Sequence, residues 1–522
     1  MSKREEIINL IPKRKKNIWH LIFSRLLIFV ILIILQINVF LMIYNWFSEY
    51  IPNFKIIQGV FTVTMILYLF NCSMDSSAKL TWLFIIMLFP LPGTVLLWFT
   101  QAEIGHRAVT DRVHNIIGET MEMIPQDKEV ISNLELIDSG TDDLCRYINR
   151  SGCYPIFSNT DVKYFPLGEY KFSAMIDELE KAEKFIFMEY FIIGEGYMWG
   201  KILDIIARKA KLGVEVRVMY DGMCEISTLT FDYPERLAVL GIKCKAFSPI
   251  KPFLSTHYNY RDHRKILVID NKTAFNGGIN LADEYINKEE RFGHWKDTAV
   301  MVKGDAVKSY TLMFLQMWNI TEKVPEWEKW IDFPTESIKS KGFVMPYADC
   351  PLDGEKVGKN VYTDVLYRAK HYVHIMTPYL ILDGELETAI KYAAERGIDV
   401  KIILPGIPDK KMAYALAKSH YRTLIKAGVK IYEYTPGFVH AKVFTSDDCK
   451  AIVGTINLDY RSLYHHFECA TYMYQTDCIS DIERDFKNTL KECRKVSLET
   501  IRTEKLYYKI VGGIMKLIAP LM

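Results

Sequence analysis

Residues 263–280 have the sequence HRKILVIDNKTAFNGGIN, and residues 440–457 repeat its pattern as HAKVFTSDDCKAIVGTIN. In both stretches a Lys follows the His by two positions, an Asp by seven, a Gly by fourteen and an Asn by seventeen. A single match of this kind is a weak signal, but a second copy with the same downstream spacing is not expected by chance. The doubled pattern therefore indicates two related halves that serve one function.

The spacing of His and Lys places both side chains on one face of a strand. Residues 266–269 form a β-branched and apolar run that ends in polar residues, which is typical of a strand followed by a turn. Because alternate residues of a strand share a face, we expect His263 to lie beside Lys265, and His440 beside Lys442. Two copies that face each other would gather two imidazoles and two ammonium groups around one point.

Such a group of side chains suits the chemistry of a phosphodiester. The ammonium groups of Lys265 and Lys442 can stabilise negative charge on the non-bridging oxygens without a metal ion. One imidazole can attack phosphorus while the other protonates the leaving oxygen. We therefore predict that His263 and His440 divide these two roles between them.

The Asp of each copy stands an odd number of positions from its His. On a continuous strand, Asp270 and Asp447 would face away from the imidazoles and lie near the turn. We group both with the catalytic motif, although their position favours a structural role over direct chemistry. Each catalytic His still needs a carboxylate that fixes its tautomer. Glu468, downstream of His440, and Asp297, downstream of His263, are the candidates for that role, and the alternative is that both are ordinary surface carboxylates.

The doubled motif resembles the phospholipase D superfamily, and within it the bacterial cardiolipin synthases. The resemblance covers nearly the whole chain. It is carried by residues 259–265 (NYRDHRK), 277–285 (GGINLADEY), 454–462 (GTINLDYRS) and 519–522 (APLM). The chain departs from the family at His466, where the family usually has Asn.

The resemblance implies an enzyme that carries a phosphatidyl group on a histidine and passes it to a second lipid alcohol. Two phosphatidylglycerol molecules would give cardiolipin and glycerol, with His263 as the nucleophile by analogy. Asn280 and Asn457 would donate hydrogen bonds to the substrate phosphate. Neither a metal nor an organic cofactor is implied. The motifs alone do not decide between an alcohol and water as acceptor, so a membrane-anchored phospholipase D stays an alternative.

Charge and cysteine content narrow the choice among protein classes and cellular compartments. The chain has 65 Lys and Arg against 63 Asp and Glu, a formal net charge of +2 in 522 residues. This balance is not that of a nucleic-acid binder, so it disfavours a nuclease of the same superfamily. The ten Cys include no CxxC pair, which predicts free thiols in a reducing compartment. Two intact motifs also disfavour a non-catalytic membrane scaffold.

The first hundred residues predict a membrane region. A basic stretch over residues 1–20 precedes apolar runs at residues 21–44, 56–72 and 80–100. The first run is longer than the apolar part of a signal peptide, so we expect two to three transmembrane helices and a multi-pass protein of the cell membrane. The basic start places the N-terminus in the cytoplasm. The side of the catalytic part then depends on the number of spans, and the free thiols favour the cytoplasm.

Beyond this region, strands alternate with helices in an order that occurs twice. Ala182 matches Ala369, and Gly213 matches Gly397, at offsets close to the one between the two His motifs. We predict an α/β fold of two tandem phospholipase D-like repeats with pseudo-two-fold symmetry, each a largely parallel sheet covered by helices, and one active site between them. The predicted parts are a membrane region (1–100), a linker (101–160), two repeats (161–325 and 326–495) and an amphipathic tail (496–522). The tail either lies on anionic lipid or docks on its own domain.

Overall fold

The structure, a computed structural model, describes residues 7–11, 25–101, 107–249 and 259–521. Most of the basic stretch over residues 1–20, and the start of the first apolar run, lie outside this part of the chain. Helices form the N-terminal part, and two α/β units built on one plan follow.

The region of the predicted membrane spans consists of helices. They are α1 (Arg25–Tyr50), α2 (Phe54–Asn71), α3 (Ser76–Leu88) and α4 (Pro90–Gln101). By length and composition, α2 is the one helix among the described residues that is long and apolar enough to cross a membrane. The structure therefore supports one span and does not support the multi-pass prediction.

The third apolar run folds as a helical hairpin and not as one spanning helix. The α3 helix ends at Leu88 and α4 begins at Pro90, because proline lacks a backbone N–H and disfavours helical backbone in the residue before it. The two helices pack closely at Gly93, where a Cβ would lie 3.0 Å from the Cα of Ile86. At 13 and 12 residues, neither arm is long enough to cross a bilayer, so the prediction of a span here is wrong.

Three further helices connect the N-terminal region to the first α/β unit: α5 (Arg107–Thr120), α6 (Lys128–Ile137) and α7 (Ser139–Gly152). The strands of the first unit are β1 (Thr160–Phe165), β2 (Phe185–Tyr190), β3 (Glu215–Asp221), β4 (Lys243–Phe247), β5 (Arg261–Asp262), β6 (Lys265–Ile269), β7 (Thr273–Gly277), β8 (His294–Lys296) and β9 (Ala299–Gly304). Its helices are α8 (Gly168–Leu179), α9 (Tyr197–Lys211), α10 (Cys224–Ser227), α11 (Tyr233–Val239), α12 (Val307–Trp318) and α13 (Glu328–Ile331).

The first sheet is mixed, with the strand order β1-β9-β7-β6-β2-β3-β4. Only β2, β3 and β4 run parallel, and the other neighbours are antiparallel, so the prediction of a largely parallel sheet is wrong. The reason is the turn after the His-Lys strand, because a tight turn can join only antiparallel strands. Asp270 and Asn271 both have a φ of 53° in this turn, a conformation that Asp and Asn adopt more readily than most residues.

The second unit repeats this plan. Its strands are β10 (Phe343–Asp349), β11 (Tyr372–Met376), β12 (Asp399–Pro405), β13 (Lys430–Tyr434), β14 (Gly437–Val439), β15 (Val443–Ser446), β16 (Lys450–Gly454), β17 (His466–Tyr474) and β18 (Cys493–Lys495). Its helices, with those of the tail, are α14 (Val357–Arg368), α15 (Gly384–Glu395), α16 (Lys411–Lys426), α17 (Ile479–Lys491), α18 (Leu498–Thr503) and α19 (Leu506–Ile518). The order β10-β17-β16-β15-β11-β12-β13 matches the order of the seven strands in the first sheet, and β18 adds an antiparallel edge strand beside β13. The shared order confirms the internal duplication.

Short strands join the two units beside the two His motifs. The β5 strand pairs in parallel with β17, and β8 pairs in parallel with β14. The backbone N–H of His263 donates to the carbonyl of Phe467 (2.9 Å), and that of His440 donates to the carbonyl of Lys296 (2.7 Å). Helix α12 is almost wholly buried and packs on β6 and β10. The backbone of each motif is therefore held by the opposite unit.

The C-terminal tail docks on its own domain, which was one of the two predicted alternatives. Helix α19 packs on α16, where Gly512 lies against the backbone of Ala415 and leaves no room for a Cβ. The opposite face of α19 remains exposed and apolar, with Leu506, Ile510 and Ile514 each more than half exposed. Docking on the protein thus leaves a surface that is free to contact lipid.

Candidate active site

The two His motifs meet in one buried site between the units. His263 precedes β6 and His440 precedes β15, and both imidazoles are less than a tenth exposed. Lys265 begins β6 and Lys442 directly precedes β15, and both side chains are buried. The positive charge of Lys442 acts on His263 and that of Lys265 acts on His440, so the four predicted side chains lie together.

Each imidazole is oriented by a carboxylate from the opposite unit. The Nδ1 of His263 lies 2.9 Å and 3.0 Å from the carboxylate oxygens of Glu468 in β17. The Nδ1 of His440 lies 2.6 Å from the Oδ2 of Asp297, which follows β8. An ionised carboxylate only accepts hydrogen bonds, so Nδ1 carries the proton in both rings and donates it. The lone pair of each Nε2 is therefore free for chemistry.

Burial favours the neutral form of both histidines. It lowers the pKa of His263 well below the ordinary 6.5, and the charges of Lys265 and Lys442 lower it further. Burial and the charge of Lys442 likewise lower the pKa of His440 to about 4. The neutral form is the one that can attack phosphorus. An anionic phosphodiester between the rings would raise both pKa values and so allow one imidazole to act as an acid.

The two lysines lie close enough for the charge of Lys265 to act on Lys442, and each uses one N–H group within its own motif. The Nζ of Lys265 donates to the carbonyl of His263 at 2.5 Å, and Lys442 donates to the carbonyl of His440 in the same way. An ammonium group has three donors, so each lysine retains two for a substrate phosphate. Burial lowers the pKa of Lys265 to about 8 and that of Lys442 to about 7, and a bound anion would favour the charged forms.

The two asparagines of the motifs have different surroundings. The Oδ1 of Asn280 accepts from the backbone N–H of Ile192 (3.0 Å), and its Nδ2 donates to the hydroxyl of Tyr285 (2.8 Å). Within the described part of the chain, the buried Oδ1 of Asn457 has no hydrogen-bond partner. The side-chain amide of Asn280 therefore makes hydrogen bonds within its own unit, whereas the Oδ1 of Asn457 remains available for a hydrogen bond.

The two motif aspartates hold the frame of the sheets and stand apart from the imidazoles. Asp270 accepts the backbone N–H groups of residues 183–185 at 2.7–2.8 Å. Asp447 accepts those of residues 370–372 at 2.7–2.9 Å. Each carboxylate thereby fixes the start of the strand next to its own His-Lys strand. This geometry corrects the grouping of Asp270 and Asp447 with the catalytic residues and supports the structural alternative.

We expect Asp270→Ala to lower the free energy of unfolding by about 3 kcal/mol, because three backbone N–H groups lose a charged acceptor. The measurement is thermal unfolding in detergent micelles, followed by circular dichroism. Asp447→Ala is the matched variant, and its loss should be smaller because its partners are more exposed to water. An Asp270→Ala protein that melts like the wild type but has lost its activity would contradict the structural role.

Sequence reasoning missed the aromatic residues that enclose the imidazoles. The ring of Phe191 packs on His263 with 4.9 Å between ring centroids. The rings of Tyr285 and Trp295 lie 5.5 Å from that of His440. The sequence did contain a signal for Tyr285, because this residue ends the motif stretch 277–285 that also contains Asn280. These rings place apolar surface directly against the two imidazoles.

A third imidazole, that of His466, also lies in the site. Its ring centroid is 5.4 Å from that of His263, and its side chain is buried. Its Nδ1 lies 3.7 Å from the Oε1 of Glu468, which is beyond hydrogen-bonding distance. Among the residues that the structure describes, neither ring nitrogen of His466 has a hydrogen-bond partner. The position at which the sequence departs from the family pattern is therefore part of the site.

A cleft beside the site leads toward the C-terminal tail. It is lined by Tyr379, Lys410, Asp459, Arg461 and Ala519, among others. Lys410 and Arg461 are exposed, and their charges reach His263 and His466 respectively. The cleft thus offers two cations at the edge of the buried imidazoles.

Comparison with known proteins places these features in a family. A profile described as "Cardiolipin synthase, PLD-like domain" matches residues 175–318 and 362–490. An uncharacterized protein of Streptococcus mutans is 58% identical over 88% of this chain and 99% of its own length. A cardiolipin synthase of Geobacillus sp. is 31% identical over 94% of this chain and 99% of its own length. One of Halalkalibacterium halodurans is 31% identical over 96% of this chain and 100% of its own length.

The fold also matches a solved structure. The phosphatidylserine synthase of Haemophilus influenzae aligns with a TM-score of 0.56 at 16% identity. The alignment covers 74% of this chain and 98% of that one. At this identity the match shows a shared fold only.

Proposed function

We propose that this chain, which belongs to the phospholipase D-like cardiolipin synthase family, joins two phosphatidylglycerol molecules into cardiolipin and releases glycerol. The observation that carries the proposal is the pair of imidazoles in one site, each held by a carboxylate of the opposite unit. A two-step transfer needs one nucleophile and one group that serves first as acid and then as base. The His263–Glu468 pair supplies the nucleophile, and the His440–Asp297 pair supplies the acid and base.

In the first step His263 attacks the phosphorus of one phosphatidylglycerol. A P–N bond forms, the P–O bond to the terminal glycerol breaks, and His440 gives its Nε2 proton to the leaving oxygen. Glu468 accepts the Nδ1–H of His263 and stabilises the positive charge of the substituted ring. Lys265 and Lys442 donate to the non-bridging oxygens, where negative charge grows in the transition state.

In the second step a hydroxyl of the second phosphatidylglycerol attacks the phosphatidyl-histidine. His440, now neutral, takes the hydroxyl proton while the P–N bond breaks and His263 is restored. Water in place of the lipid hydroxyl would give phosphatidic acid, which is the alternative of a phospholipase D. Burial of the imidazoles and the rings of Phe191, Tyr285 and Trp295 favour the lipid acceptor because they limit access of water.

We further propose that the membrane holds the enzyme through both N-terminal helices and the tail. The α2 helix has the length and composition of a span. A second span at α1 is proposed from its sequence alone, because most of its 26 residues are apolar. Two spans from a cytoplasmic N-terminus would keep the catalytic part in the cytoplasm. The exposed apolar face of α19 would then rest on the bilayer, and the adjoining cleft would open where lipid head groups lie.

The test of the reaction is product analysis with labelled phosphatidylglycerol in mixed micelles and no added metal. Cardiolipin and glycerol in equal amounts support the proposed transfer. Phosphatidic acid alone would show a hydrolase that uses the same site. A His263→Ala protein purified in the same way is the control for contaminating activities, and no product of either kind should form with it.

We expect the cleft to bind the acceptor through its anionic head group. Lys410→Ala and Arg461→Ala should each raise the KM for phosphatidylglycerol about fivefold, the loss of roughly 1 kcal/mol of attraction to an anionic lipid. The measurement is the rate of cardiolipin formation at increasing surface concentration of substrate. Lys411→Ala removes the exposed neighbouring charge at the start of α16 and is the matched control. An equal rise in KM for Lys411→Ala would show that the effect comes from general surface charge and not from binding in the cleft.

A further inference from the structure

We propose that His263, His466 and Glu468 form a binding site for a divalent transition metal ion such as zinc, and that an ion bound there stops phosphatidyl transfer. The binding itself is independent of the proposed function, and only the inhibition rests on it. The ion is an inhibitor and takes no part in the transfer reaction.

The geometry of the three side chains carries the proposal. One ring nitrogen of each histidine and one carboxylate oxygen of Glu468 lie within 4.8 Å of one another, and all three residues are buried. Zinc binds imidazole nitrogen at about 2.0 Å and carboxylate oxygen at about 2.1 Å, so only a small closure brings these atoms onto one ion. Two imidazoles and one carboxylate are also a common zinc ligand set with one position left open.

The state of His466 is the independent observation. A buried polar group without a hydrogen-bond partner is rare in proteins and calls for an explanation. Both ring nitrogens of His466 lack a partner among the described residues, although the side chain is more than nine-tenths buried. The ring can therefore turn toward Glu468 without breaking a hydrogen bond. The unpartnered imidazole of His466 can therefore bind a metal ion that His263 and Glu468 also contact.

The surrounding charges set the affinity of this site for a metal ion. Glu468 supplies one negative charge, while Lys265 and Lys442 place two ammonium groups nearby and oppose a cation. We therefore expect weaker binding than at a structural zinc site. A bound ion would block the reaction whichever nitrogen of His263 it took, because the ring would lose either its attacking lone pair or its orienting contact with Glu468.

Cobalt(II) is the probe that tests the binding without any measurement of activity. The full-length protein, purified in detergent without a histidine tag, should bind about one equivalent of Co²⁺ with the visible absorption of a tetrahedral site. A sulfur-to-cobalt charge-transfer band should be absent, because no cysteine is among the ligands. His466→Asn should weaken binding at least about tenfold, since one of three protein ligands is lost. His465→Asn makes the same change at the neighbouring histidine and should bind as the wild type does.

Inhibition is tested on the same proteins. Zinc should suppress cardiolipin formation by the wild type and by His465→Asn, and EDTA should restore it. His466→Asn should resist zinc when compared with its own zinc-free rate, and His466→Gln provides a second variant if the first does not fold. Equal cobalt binding by His466→Asn and His465→Asn, or no binding by the wild type, would overturn the proposal. Because the cobalt spectrum needs no substrate, a failure of the proposed function would leave that result interpretable.

Discussion

Alanine at His440 is expected to lower the steady-state rate of cardiolipin formation by about 1,000-fold or more, because the leaving oxygen loses its proton donor and the acceptor hydroxyl loses its base. His263→Ala should have an effect at least as large, since without the nucleophile neither step can occur. His420→Ala is the matched control. That residue is also a buried histidine whose Nδ1 lies 2.9 Å from a carboxylate, that of Glu387, but it is in helix α16 and outside the site. Its loss should affect stability and leave the catalytic rate nearly unchanged.

A substrate with p-nitrophenol in place of the terminal glycerol separates the roles of the two histidines. Nitrophenolate leaves without a proton, so the first step no longer needs His440. His440→Ala should therefore release about one nitrophenolate per protein and then stall with a phosphatidyl group on His263, which peptide mass spectrometry can locate. His263→Ala should release none. The reverse outcome would exchange the two roles, and continued turnover of phosphatidylglycerol by either variant would contradict a shared site.

The position of the His-Lys pairs was predictable because it follows from local geometry. A separation of two residues in extended backbone puts both side chains on one face, and the segments that lead into β6 and β15 keep this spacing although the histidines precede the strands. The carboxylate partners could be proposed from the sequence but not paired. His263 and Glu468 are 205 residues apart, and His440 and Asp297 are 143 residues apart. Such contacts depend on how the two units pack, which no local pattern records.

Two errors of prediction had signals in the sequence. The mixed sheet follows from the tight turn at Asp270 and Asn271, whose residue types favour positive φ and hence a hairpin with antiparallel strands. The hairpin in place of a third span follows from Pro90, which interrupts the apolar run. The parallel sheet was expected from the alternation of strands and helices, and the third span from the length of an apolar run, and neither pattern accounts for the residues that end an element. The unpartnered ring of His466, in contrast, depends on its tertiary surroundings and has no local signal.

The crossed pairing predicts different kinetic defects for the two orienting carboxylates. Asp297→Asn should lower the rate of cardiolipin formation by about 1,000-fold, because an asparagine amide can donate to Nδ1 of His440 and so favour the wrong tautomer. Glu468→Gln should impair His263 in the same way. Asp447→Asn, which alters a motif carboxylate outside the site, is the control and should retain the rate.

The nitrophenyl substrate distinguishes these defects because it isolates the nucleophilic step. Asp297→Asn should still give the initial release of nitrophenolate, since His263 keeps Glu468, and should then turn over slowly. Glu468→Gln should lose most of the initial release itself. Adding Asp297→Asn to His440→Ala should cause little further loss, because residues that act as a unit are not additive. A lost initial release in Asp297→Asn, with a normal one in Glu468→Gln, would show that each carboxylate serves the other histidine and that the units exchange no orienting groups.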